Sequence, residues 1–318
     1  MSRKRILIWI RPYGGLRPAP RDTPFGRAAL CLKDEGIDLI MASSPQSWMH
    51  VIDGTWQRCE PDFVDAVYDR FSARSMPEHY SAMEQQAGRV PRGNPPELIR
   101  ICTDKIATQR LLGHLPFPPI ETSPSLFQNQ LSQWESGYLK PRFGGLGRGV
   151  RKVEQGDPLP AWGQSAIRGA SEPTFLQKAI SPPGDMGSLC VRWLTQREDS
   201  GHWKLLPPVA RVSNSAVANV HQGAVALPAE EVLSQKALKM GEELVLECAQ
   251  ELQNQIQGVA LELGVDLLFD EQENAWILEV NSRPSGRLSA LTARNPQQYG
   301  PIAHEAVLRP LRTLASLG

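Results

Sequence analysis

The sequence predicts a mixed α/β protein built from three units. Three observations carry this prediction: strand-like and helix-like runs alternate over the first hundred residues, a Pro- and Gly-containing stretch follows them, and two apolar runs near residue 270 are typical of a β-hairpin. We place the units at residues 1–100, 101–180 and 181–318. A chain of 318 residues is long enough for two or three units with sizeable cores.

The first unit is predicted to be a small parallel α/β domain. RILIWI is expected to form a strand, FGRAALCLKDEG a helix ending near Gly36, and IDLIMAS a second strand. PDFVDAVYDRF predicts a further strand with a charged exit at Asp69 and Arg70. Alternating strands and helices favour a parallel sheet, and VPRGNPPEL is the expected linker to the next unit.

The second unit opens with a predicted helix from about Lys105 to Gly113, which Thr103 or Asp104 can cap. SGYLKPRFGGLGRGVRKVE predicts a strand, a glycine loop and another strand, and PTFLQKAIS predicts a short strand. In the third unit LCVRWLTQ and WKLLPPVARV are expected to be strands. A long helix over roughly residues 229–255 precedes the hairpin, and HEAVLRPLRTLASL is expected to form a closing helix.

The hairpin lies in GVDLLFDEQENAWILEVNSRPSGR, with EQEN as its loop. Pairing across this loop predicts the register Asp270–Ala275, Leu268–Ile277, Asp266–Glu279 and Gly264–Asn281. Because side chains alternate along a strand, the predicted core face consists of Val265, Leu267, Phe269, Trp276, Leu278 and Val280. The opposite face carries Asp266, Glu279 and Asn281, and two facing carboxylates repel unless a proton or cation lies between them.

This polar face predicts a divalent metal site. Two carboxylates and an amide oxygen form a hard, all-oxygen ligand set, which suits Mg²⁺ or Mn²⁺ better than zinc. Mg²⁺ held by a few protein oxygens usually takes its other ligands from water and phosphates. The hairpin therefore fits a metal–nucleotide complex, although these residues alone also fit a solvent-facing acidic hairpin.

The segment KPRFGGLGRGV places four glycines between two strand-like runs. It is neither a Walker A sequence nor a GxGxxG turn before a helix. A glycine run of this kind can fold over phosphates and present backbone N–H groups to an anion, with Lys140 and Arg148 supplying positive charge. An ordinary flexible hairpin turn also fits the pattern.

Composition and charge narrow the classes of partner. Lys+Arg and Asp+Glu both total 34, so no global basic field favours nucleic acid or an anionic membrane. Five scattered cysteines without a CxxC motif favour free thiols in the cytoplasm. The apolar run Ile6–Ile10 is too short for a signal peptide, and no stretch approaches the roughly 20 residues of a membrane helix.

Five segments resemble the ATP-grasp superfamily in order and spacing: TDKIATQRLL, YLKPRFGGLGRGV, FLQKAI, GVDLLF and WILEVNSRP, which together span Thr103 to Pro284. Within the superfamily, ANVHQGA resembles a loop of RimK-like amino-acid ligases, whereas VYDR, GHWKLLPPVAR and WILEVNSRP resemble YheC/YheD-like proteins. The resemblance implies an ATP-grasp fold, with an N-terminal parallel α/β domain and two α+β subdomains that clamp ATP.

The resemblance also implies a role for each matching residue. For the nucleotide these are Lys105 and Lys140 at the phosphates, Gly144, Gly145, Gly147, Arg148 and Gly149 in the closing loop, Gln177, Lys178 and Ile180 at adenine, and Asp185 at the ribose. Asp266, Glu279 and Asn281 match the metal ligands. Gln177 stands where many members have Glu, and Cys190 stands where relatives often have Asp in an Asp-x-Arg pattern ending at Arg192.

The implied activity is that of an ADP-forming carboxylate–amine ligase that uses ATP and Mg²⁺ (or Mn²⁺) and an acyl-phosphate intermediate, with an amino acid or peptide as substrate. Candidates for gripping the carboxylate and the acyl phosphate are Arg192, Arg211, Arg283 and Arg287, and Asn219 is a candidate for orienting phosphate or metal. Each arginine also fits a surface salt bridge. Asp69 and Arg70 are expected to face the cleft.

Two other functions stay open at this point. One is an ATP-dependent kinase or ligase whose acceptor is not an amine. The other is a nucleotide-binding structural protein without catalysis, since YheC/YheD-like proteins are associated with spore coats. Dimerisation is common in the superfamily, so a homodimer is left open as well.

Overall fold

The computed structural model describes residues 3–10, 23–52, 55–60, 62–70, 77–145, 147–159, 173–214, 223–284 and 288–318. These residues form three β-sheets that follow one another along the chain, with helices packed against them. Within these ranges no helix is long and apolar enough to cross a membrane.

The helices of the described ranges are α1 (Pro24–Asp34), α2 (Pro77–Ala87), α3 (Pro96–Thr103), α4 (Lys105–Leu111), α5 (Phe127–Trp134), α6 (Gln235–Asn254), α7 (Ser289–Arg294) and α8 (Pro296–Leu317). The first sheet contains β1 (Lys4–Trp9), β2 (Ile37–Ser44), β3 (Ser47–Ile52), β4 (Thr55–Cys59), β5 (Ala66–Asp69) and β6 (Arg92–Gly93). The second contains β7 (Ile120–Glu121), β8 (Ser136–Pro141), β9 (Arg151–Glu154) and β10 (Thr174–Lys178). The third contains β11 (Ser188–Arg197), β12 (Trp203–Leu205), β13 (Val209–Ser213), β14 (Val225–Pro228), β15 (Glu262–Phe269) and β16 (Ala275–Asn281).

The first sheet has the strand order β4–β3–β2–β1–β5–β6. Strands β2, β1, β5 and β6 run parallel, as the alternation of strands and helices predicts. The antiparallel strands β3 and β4 are an extension that the sequence analysis missed. Only residues 45 and 46 separate β2 from β3, and so short a connection can join only antiparallel strands.

Helices cover both faces of the first sheet. Ile8 of β1 lies in one core with Leu32 of α1 and Leu311 of α8, whereas the next residue, Trp9, lies in a second core with Met83 of α2. Burial on both faces explains the continuous apolar run in β1. Because α8 comes from the end of the chain and covers the N-terminal sheet, the boundaries at residues 100 and 180 stay predictions.

The predicted linker is part of the packed structure. Asn94 is buried, and its Nδ2 donates hydrogen bonds of 2.6 Å to the backbone oxygens of Glu262 and Ser282. Its Oδ1 accepts a hydrogen bond of 2.6 Å from the backbone N–H of Leu261. This single side chain therefore ties the end of the first sheet to the beginning of β15 and the end of β16.

The second sheet is antiparallel, in the order β7–β10–β8–β9. Helix α5 closes one of its faces through a small core that contains Phe127, Leu131 and Leu139. Helix α4 begins at Lys105 as predicted, because the Asp104 side chain accepts a hydrogen bond of 3.1 Å from the backbone N–H of Ala107. The predicted helix end at residue 113 is wrong by two residues, since α4 ends at residue 111.

The third sheet has the order β14–β13–β11–β15–β16, with β12 paired to β11 outside this path. Helix α6 covers one face, and Gly241 permits the close approach, since a Cβ there would lie 2.7 Å from the ring of Trp193. The predicted helix start at residue 229 is wrong, because residues 229–231 form a separate 3₁₀ turn. Helix α6 begins after Ser234, whose side chain accepts from the backbone N–H of Ala237.

The hairpin β15–β16 follows the predicted register only at its far end. Asp266 pairs with Glu279 and Gly264 with Asn281, which confirms these two pairs. Nearer the loop the predicted pairs are wrong: the observed pairs are Leu267–Ile277, Leu268–Trp276 and Phe269–Ala275. A β-bulge next to Asp266 inserts one residue, Leu278, into β16.

The bulge also changes which side chains reach the core. Val265, Leu267, Phe269 and Val280 are buried there as predicted, but Ala275 and Ile277 take the places expected for Trp276 and Leu278. Leu278 lies instead on the polar face of the hairpin and lines a cleft. One inserted residue reverses the faces of a strand because the side-chain period is two.

Candidate functional site

A cleft of about 500 Å³ lies between the second and third sheets. The second sheet contributes the glycine loop and residues of β8 and β10, and the third contributes β11, β13, β15 and β16. The predicted site residues that line it are Lys105, Lys140, Gly144, Gly145, Gly147, Arg148, Gln177, Lys178, Ile180, Arg192, Arg211, Asp266, Glu279, Asn281 and Arg283. The fold thus brings the predicted phosphate, hinge and metal residues into one cleft.

The remaining predicted residues are placed elsewhere. Asp185 is exposed in the connection between β10 and β11 and does not line the cleft. Gly149 does not line it either, although its neighbour Arg148 does. Asn219 and Arg287 lie outside the described residues, so their roles stay predictions.

The floor of the cleft is the face of the third sheet that α6 does not cover. Val209, Arg192, Asp266 and Glu279 form one row across β13, β11, β15 and β16. Strand alternation puts Arg192 on this face and the adjacent Trp193 in the core. The row therefore sets a guanidinium beside two neighbouring carboxylates.

Asp266 is held by two arginines. Arg192 donates from Nε to Oδ1 at 2.6 Å and from Nη2 to Oδ2 at 2.5 Å, and Arg211 donates from Nη2 to Oδ1 at 2.7 Å. The residue is only 2% exposed. Burial alone would raise the pKa of Asp266, but the two guanidiniums hold this pKa well below its usual range. The carboxylate is therefore ionised. Both arginines already donate hydrogen bonds to it, which leaves fewer of their N–H groups for other ligands.

Asp266, Glu279 and Asn281 fit a divalent cation. The Nδ2 of Asn281 donates to Glu279 Oε1 at 3.2 Å and to the backbone oxygen of Gly264 at 3.5 Å, which leaves the amide oxygen as the atom for a cation. Asp266 accepts three hydrogen bonds and retains one of about four acceptor positions. No group of three His, Cys, Asp or Glu in the described ranges could hold a metal ion, and the oxygen beside the two carboxylates is the amide oxygen of Asn281.

The wall opposite the carboxylates carries Lys140. Its Nζ donates to Oε1 of Gln177 at 2.5 Å. Burial lowers the pKa of Lys140 to about 8, Glu279 across the cleft opposes this shift, and Lys105 adds to it. A phosphate group near the ammonium would favour its charged form.

Lys105 holds the glycine loop at its near end. Its Nζ donates to the backbone oxygen of Gly144 at 2.7 Å, and Gly144 has φ 105°, a conformation that favours glycine. A side cavity of about 30 Å³ is lined by Lys105, Glu279 and Asn281 among others. This lysine therefore lies next to the predicted metal ligands as well as to the loop.

The sequence analysis missed Arg142, which connects the two lysine-bearing elements. Its guanidinium donates to Asp104 from Nε to Oδ1 at 2.8 Å and from Nη2 to Oδ2 at 2.6 Å. Asp104 caps α4, and Arg142 directly follows β8, so this forked pair fixes Lys105 and Lys140 on the same wall. Burial would raise the pKa of Asp104, but the hydrogen bonds from Arg142 lower it.

Arg283 lines the cleft beside the predicted metal ligands and is anchored in the first unit. Its Nη2 donates to Asp69 Oδ2 at 2.7 Å, and the hydroxyl of Tyr80 donates to the same oxygen at 2.6 Å. The expectation that Asp69 and Arg70 face the cleft is wrong. Asp69 is buried behind Arg283, and Arg70 donates to Glu262 at 2.5 Å, because the third sheet packs over the end of β5.

Both Arg211 and Arg283 have a buried Nε without a hydrogen-bond partner within the described ranges. Buried side-chain donors usually have a partner, and these two belong to arginines that line the cleft. Cys190 lies beside Arg211, whose Nη2 is 3.1 Å from the sulfur, and burial raises the pKa of this thiol to about 12. The thiol at position 190 is therefore neutral at physiological pH.

The sequence analysis also missed the apolar lining of the cleft, which includes Leu194, Pro207, Val209 and Leu288. A signal for one of them was present. In LCVRWLTQ every second residue from Cys190 lies on one face, so Leu194 had to share the face of Arg192. The contribution of Leu288 depends on how the chain returns after the hairpin, which local pattern does not reveal.

Comparisons with known proteins identify the fold. The family described as YheC/D like ATP-grasp matches residues 165–305. A search of curated proteins finds no significant match. Among solved structures, the chain is similar to VanG D-Ala:D-Ser ligase from Enterococcus faecalis, with TM-score 0.65, 14% identity and coverage of 98% of this chain and 100% of that one.

Two further solved structures are similar to this chain in fold. N5-carboxyaminoimidazole ribonucleotide synthetase from Thermotoga maritima has TM-score 0.57 and 15% identity, covering 99% of this chain and 76% of that one. The ATP-grasp ligase PsnB, solved with a phosphomimetic variant of its minimal precursor, Mg and ADP, has TM-score 0.54 and 16% identity, covering 98% and 100%. At such identities the likeness shows the fold and leaves the substrates open.

Proposed function

We propose that this chain, which has the ATP-grasp fold and a YheC/D-like ATP-grasp region, is an ADP-forming ligase that joins a carboxylate to an amine. One observation carries the proposal. Within a single cleft, a floor of two neighbouring carboxylates and an amide faces a wall with two lysines and a glycine loop. This pairing of hard oxygen ligands with cations suits a triphosphate and its metal ion.

The proposed reaction has two steps. One oxygen of the substrate carboxylate attacks the γ-phosphorus of ATP, the bond from that phosphorus to the β–γ bridging oxygen breaks, and ADP leaves. The amine nitrogen then attacks the carbonyl carbon of the acyl phosphate, inorganic phosphate leaves, and the nitrogen gives up a proton to solvent. Neither step requires a nucleophile from the protein, so the chain acts by positioning and by stabilising charge.

The residues divide this work between the two walls. Lys105, Lys140 and the N–H groups of the glycine loop neutralise phosphate oxygens. Asp266, Glu279 and Asn281 would hold Mg²⁺, which supplies further neutralisation of the triphosphate. Gln177, Lys178 and Ile180 line the end of the cleft where the two sheets join, which fits the base of the nucleotide.

The arginines have two different tasks in this proposal. Arg192 and Arg211 keep Asp266 ionised and oriented, so they act mainly as positioning residues for the metal ligand. Arg283 is anchored on one side by Asp69 and lines the cleft with its remaining surface. It is therefore the best placed of the described arginines to contact the substrate carboxylate.

ADP release tests the proposal most simply. The full chain is incubated with ATP, Mg²⁺ and pools of amino acids and peptides, and products are identified by mass. Asp266→Asn and Glu279→Gln are expected to reduce turnover at least a thousandfold, because each removes a charge from the metal site. Glu271→Gln, an exposed acid in the loop of the same hairpin, is the matched control and is expected to have wild-type activity.

Each alternative outcome has a distinct meaning. Phosphorylated or esterified products without an amide would replace the amine acceptor by another nucleophile. ATP binding without ADP release on any substrate pool would contradict the ligase proposal and favour a non-catalytic nucleotide-binding protein. Wild-type turnover in both variants would contradict the metal assignment.

A further inference from the structure

The cleft has a charged middle and an apolar end. Along β11 the cleft-lining residues are, in order, Ser188, Leu189, Cys190, Arg192 and Leu194. Ser188 follows the connection between the second and third sheets, so Leu194 marks the end of the cleft farthest from that connection. At about 3.4 Å per strand residue, Leu194 lies roughly 7 Å beyond Arg192 along the strand.

Four residues form this end, which we call the distal pocket: Leu194, Pro207, Val209 and Leu288. Val209 lies directly beside Arg192 in the neighbouring strand β13. The carbonyl of Leu194 accepts a hydrogen bond of 2.9 Å from the N–H of Leu206, which fixes the chain leading to Pro207. Leu288, immediately before α7, packs in one apolar core with Leu194 and Leu206.

The walls of the distal pocket are packed from behind. Leu194 and Leu288 are 4% and 2% exposed and share a core with Leu206, Leu291 and Tyr299. Leu288 has φ 44°, a left-handed conformation that is costly for a branched side chain and is held only where the surroundings demand it. The pocket is therefore pre-formed, which lowers the entropic cost of binding.

Polar groups lie on both sides of the distal pocket. Arg192 lies one row before Leu194, Asn281 shares the row of Leu194, and Arg283 follows Asn281 by two residues. The acids near the two arginines, Asp266 and Asp69, are already paired. A polar substituent against Leu194, Val209 and Leu288 would lose water at three apolar side chains that offer it no hydrogen bond. An apolar substituent would gain from the burial.

We propose that the carboxylate substrate is an amino acid or peptide whose reacting carboxyl belongs to a residue with an apolar side chain, and that this side chain lies in the distal pocket. The inference rests on the proposed function and adds the substrate class. The carboxylate contacts Arg283, and the side chain lies against Leu194, Val209 and Leu288.

The first test compares substrates matched in size. The kcat/KM for ADP release is measured with leucine against asparagine and valine against threonine, as free amino acids and as the C-terminal residue of dipeptides, at saturating ATP and Mg²⁺ with one pool of amines. The apolar member of each pair is expected to be favoured at least about tenfold. Equal values, or a preference for the polar member, would overturn the inference while ADP release upheld the ligase.

The second test changes the pocket itself. Val209→Ala enlarges it and is expected to shift the preference among apolar substrates towards longer side chains, by about fivefold in the leucine-to-valine ratio of kcat/KM. Val225→Ala, an exposed valine on the adjacent strand β14, is the matched control and is expected to leave that ratio unchanged. Thermal unfolding of both variants checks that they are folded.

Three other outcomes would each overturn the inference. An unchanged ratio in folded Val209→Ala would overturn the distal pocket as the specificity site. A shift of the same size in Val225→Ala would overturn it as well, because the effect would then not be local. No ADP release with any substrate would overturn the proposed function and this inference with it.

Discussion

The two faces of the third sheet carry opposite chemistry on the same strands. On the face under α6, Trp193 and Val265 are fully buried in an apolar core. On the other face, the neighbouring residues Arg192 and Asp266 form a charged pair at the floor of the cleft. Of two adjacent residues in one strand, one therefore packs in the core and the other lies in the cleft, because successive side chains point to opposite faces.

The two faces differ in the groups that pack against them. The chain itself completes the core face, since α6 supplies the packing partners and Gly241 allows the helix to come close. The cleft face has paired acids, two buried guanidinium nitrogens without partners in the described ranges, and lysines on the opposite wall. Substitutions on the core face should therefore change stability, whereas those on the cleft face should change stability and function together.

Arg192→Met is expected to lower both stability and activity on the cleft face. It leaves Asp266 buried with only Arg211 as partner, and breaking a buried ion pair costs about 3 kcal/mol or more of unfolding free energy. ADP release is expected to fall at least a hundredfold, because the metal ligand loses two of its three positioning hydrogen bonds. Urea unfolding and steady-state kinetics measure the two effects.

Arg294→Met is the matched control for Arg192→Met. It breaks the pair with Glu231, in which both side chains are 44% exposed, and such pairs contribute less than about 1 kcal/mol. Similar losses of stability in the two variants would contradict the special position of Asp266.

Gly241→Ala perturbs the core face alone. The new Cβ would lie 2.7 Å from Trp193 and 3.2 Å from Phe269, and overpacking of this kind costs about 1–3 kcal/mol. The KM for ATP is expected to stay within about twofold of wild type at temperatures where the variant is folded. A changed KM in Gly241→Ala would show that the two faces are coupled.

A further prediction concerns Lys140 on the opposite wall. Because its pKa is about 8, kcat/KM for ATP is expected to fall about tenfold per pH unit well above pH 8, as the ammonium loses its proton. Lys140→Arg should move this fall to higher pH, since a guanidinium stays charged. A pH profile with the same fall in both proteins would assign it to another group.

The same pKa fixes the sign of a stability change. Between about pH 8 and the unfolded value near 10.4, the unfolded chain binds more protons at Lys140 than the folded chain. The contribution of this residue to the free energy of unfolding therefore rises with pH across that window. Urea midpoints of wild type and Lys140→Arg, compared at pH 8 and pH 10, measure it.

The sequence predicted those features that depend on local period and local chemistry. The Asp104 cap, the parallel centre of the first sheet and the pairing of Asp266 with Glu279 are of this kind. The bulge at Leu278 was missed because one inserted residue leaves the apolar pattern of the hairpin intact.

Long-range partners could not be predicted. Arg283 meets Asp69 across 214 positions, and Asn94 joins β15 across 168. The bonds from Arg192 and Arg211 to Asp266 could not be predicted either, because strand order and not sequence spacing decides which side chains meet. The same holds for Leu288, which reaches the distal pocket only through the packing of the segment before α7.

Equilibrium binding of ATP tests the central claim most directly. The affinity of the full chain is measured by calorimetry with and without Mg²⁺, in wild type, Glu279→Gln and Glu271→Gln. We expect Mg²⁺ to tighten binding at least about tenfold in wild type and in Glu271→Gln, and much less in Glu279→Gln. The same gain from Mg²⁺ in all three proteins, or no ATP binding at all, would contradict a metal–nucleotide site at Asp266, Glu279 and Asn281.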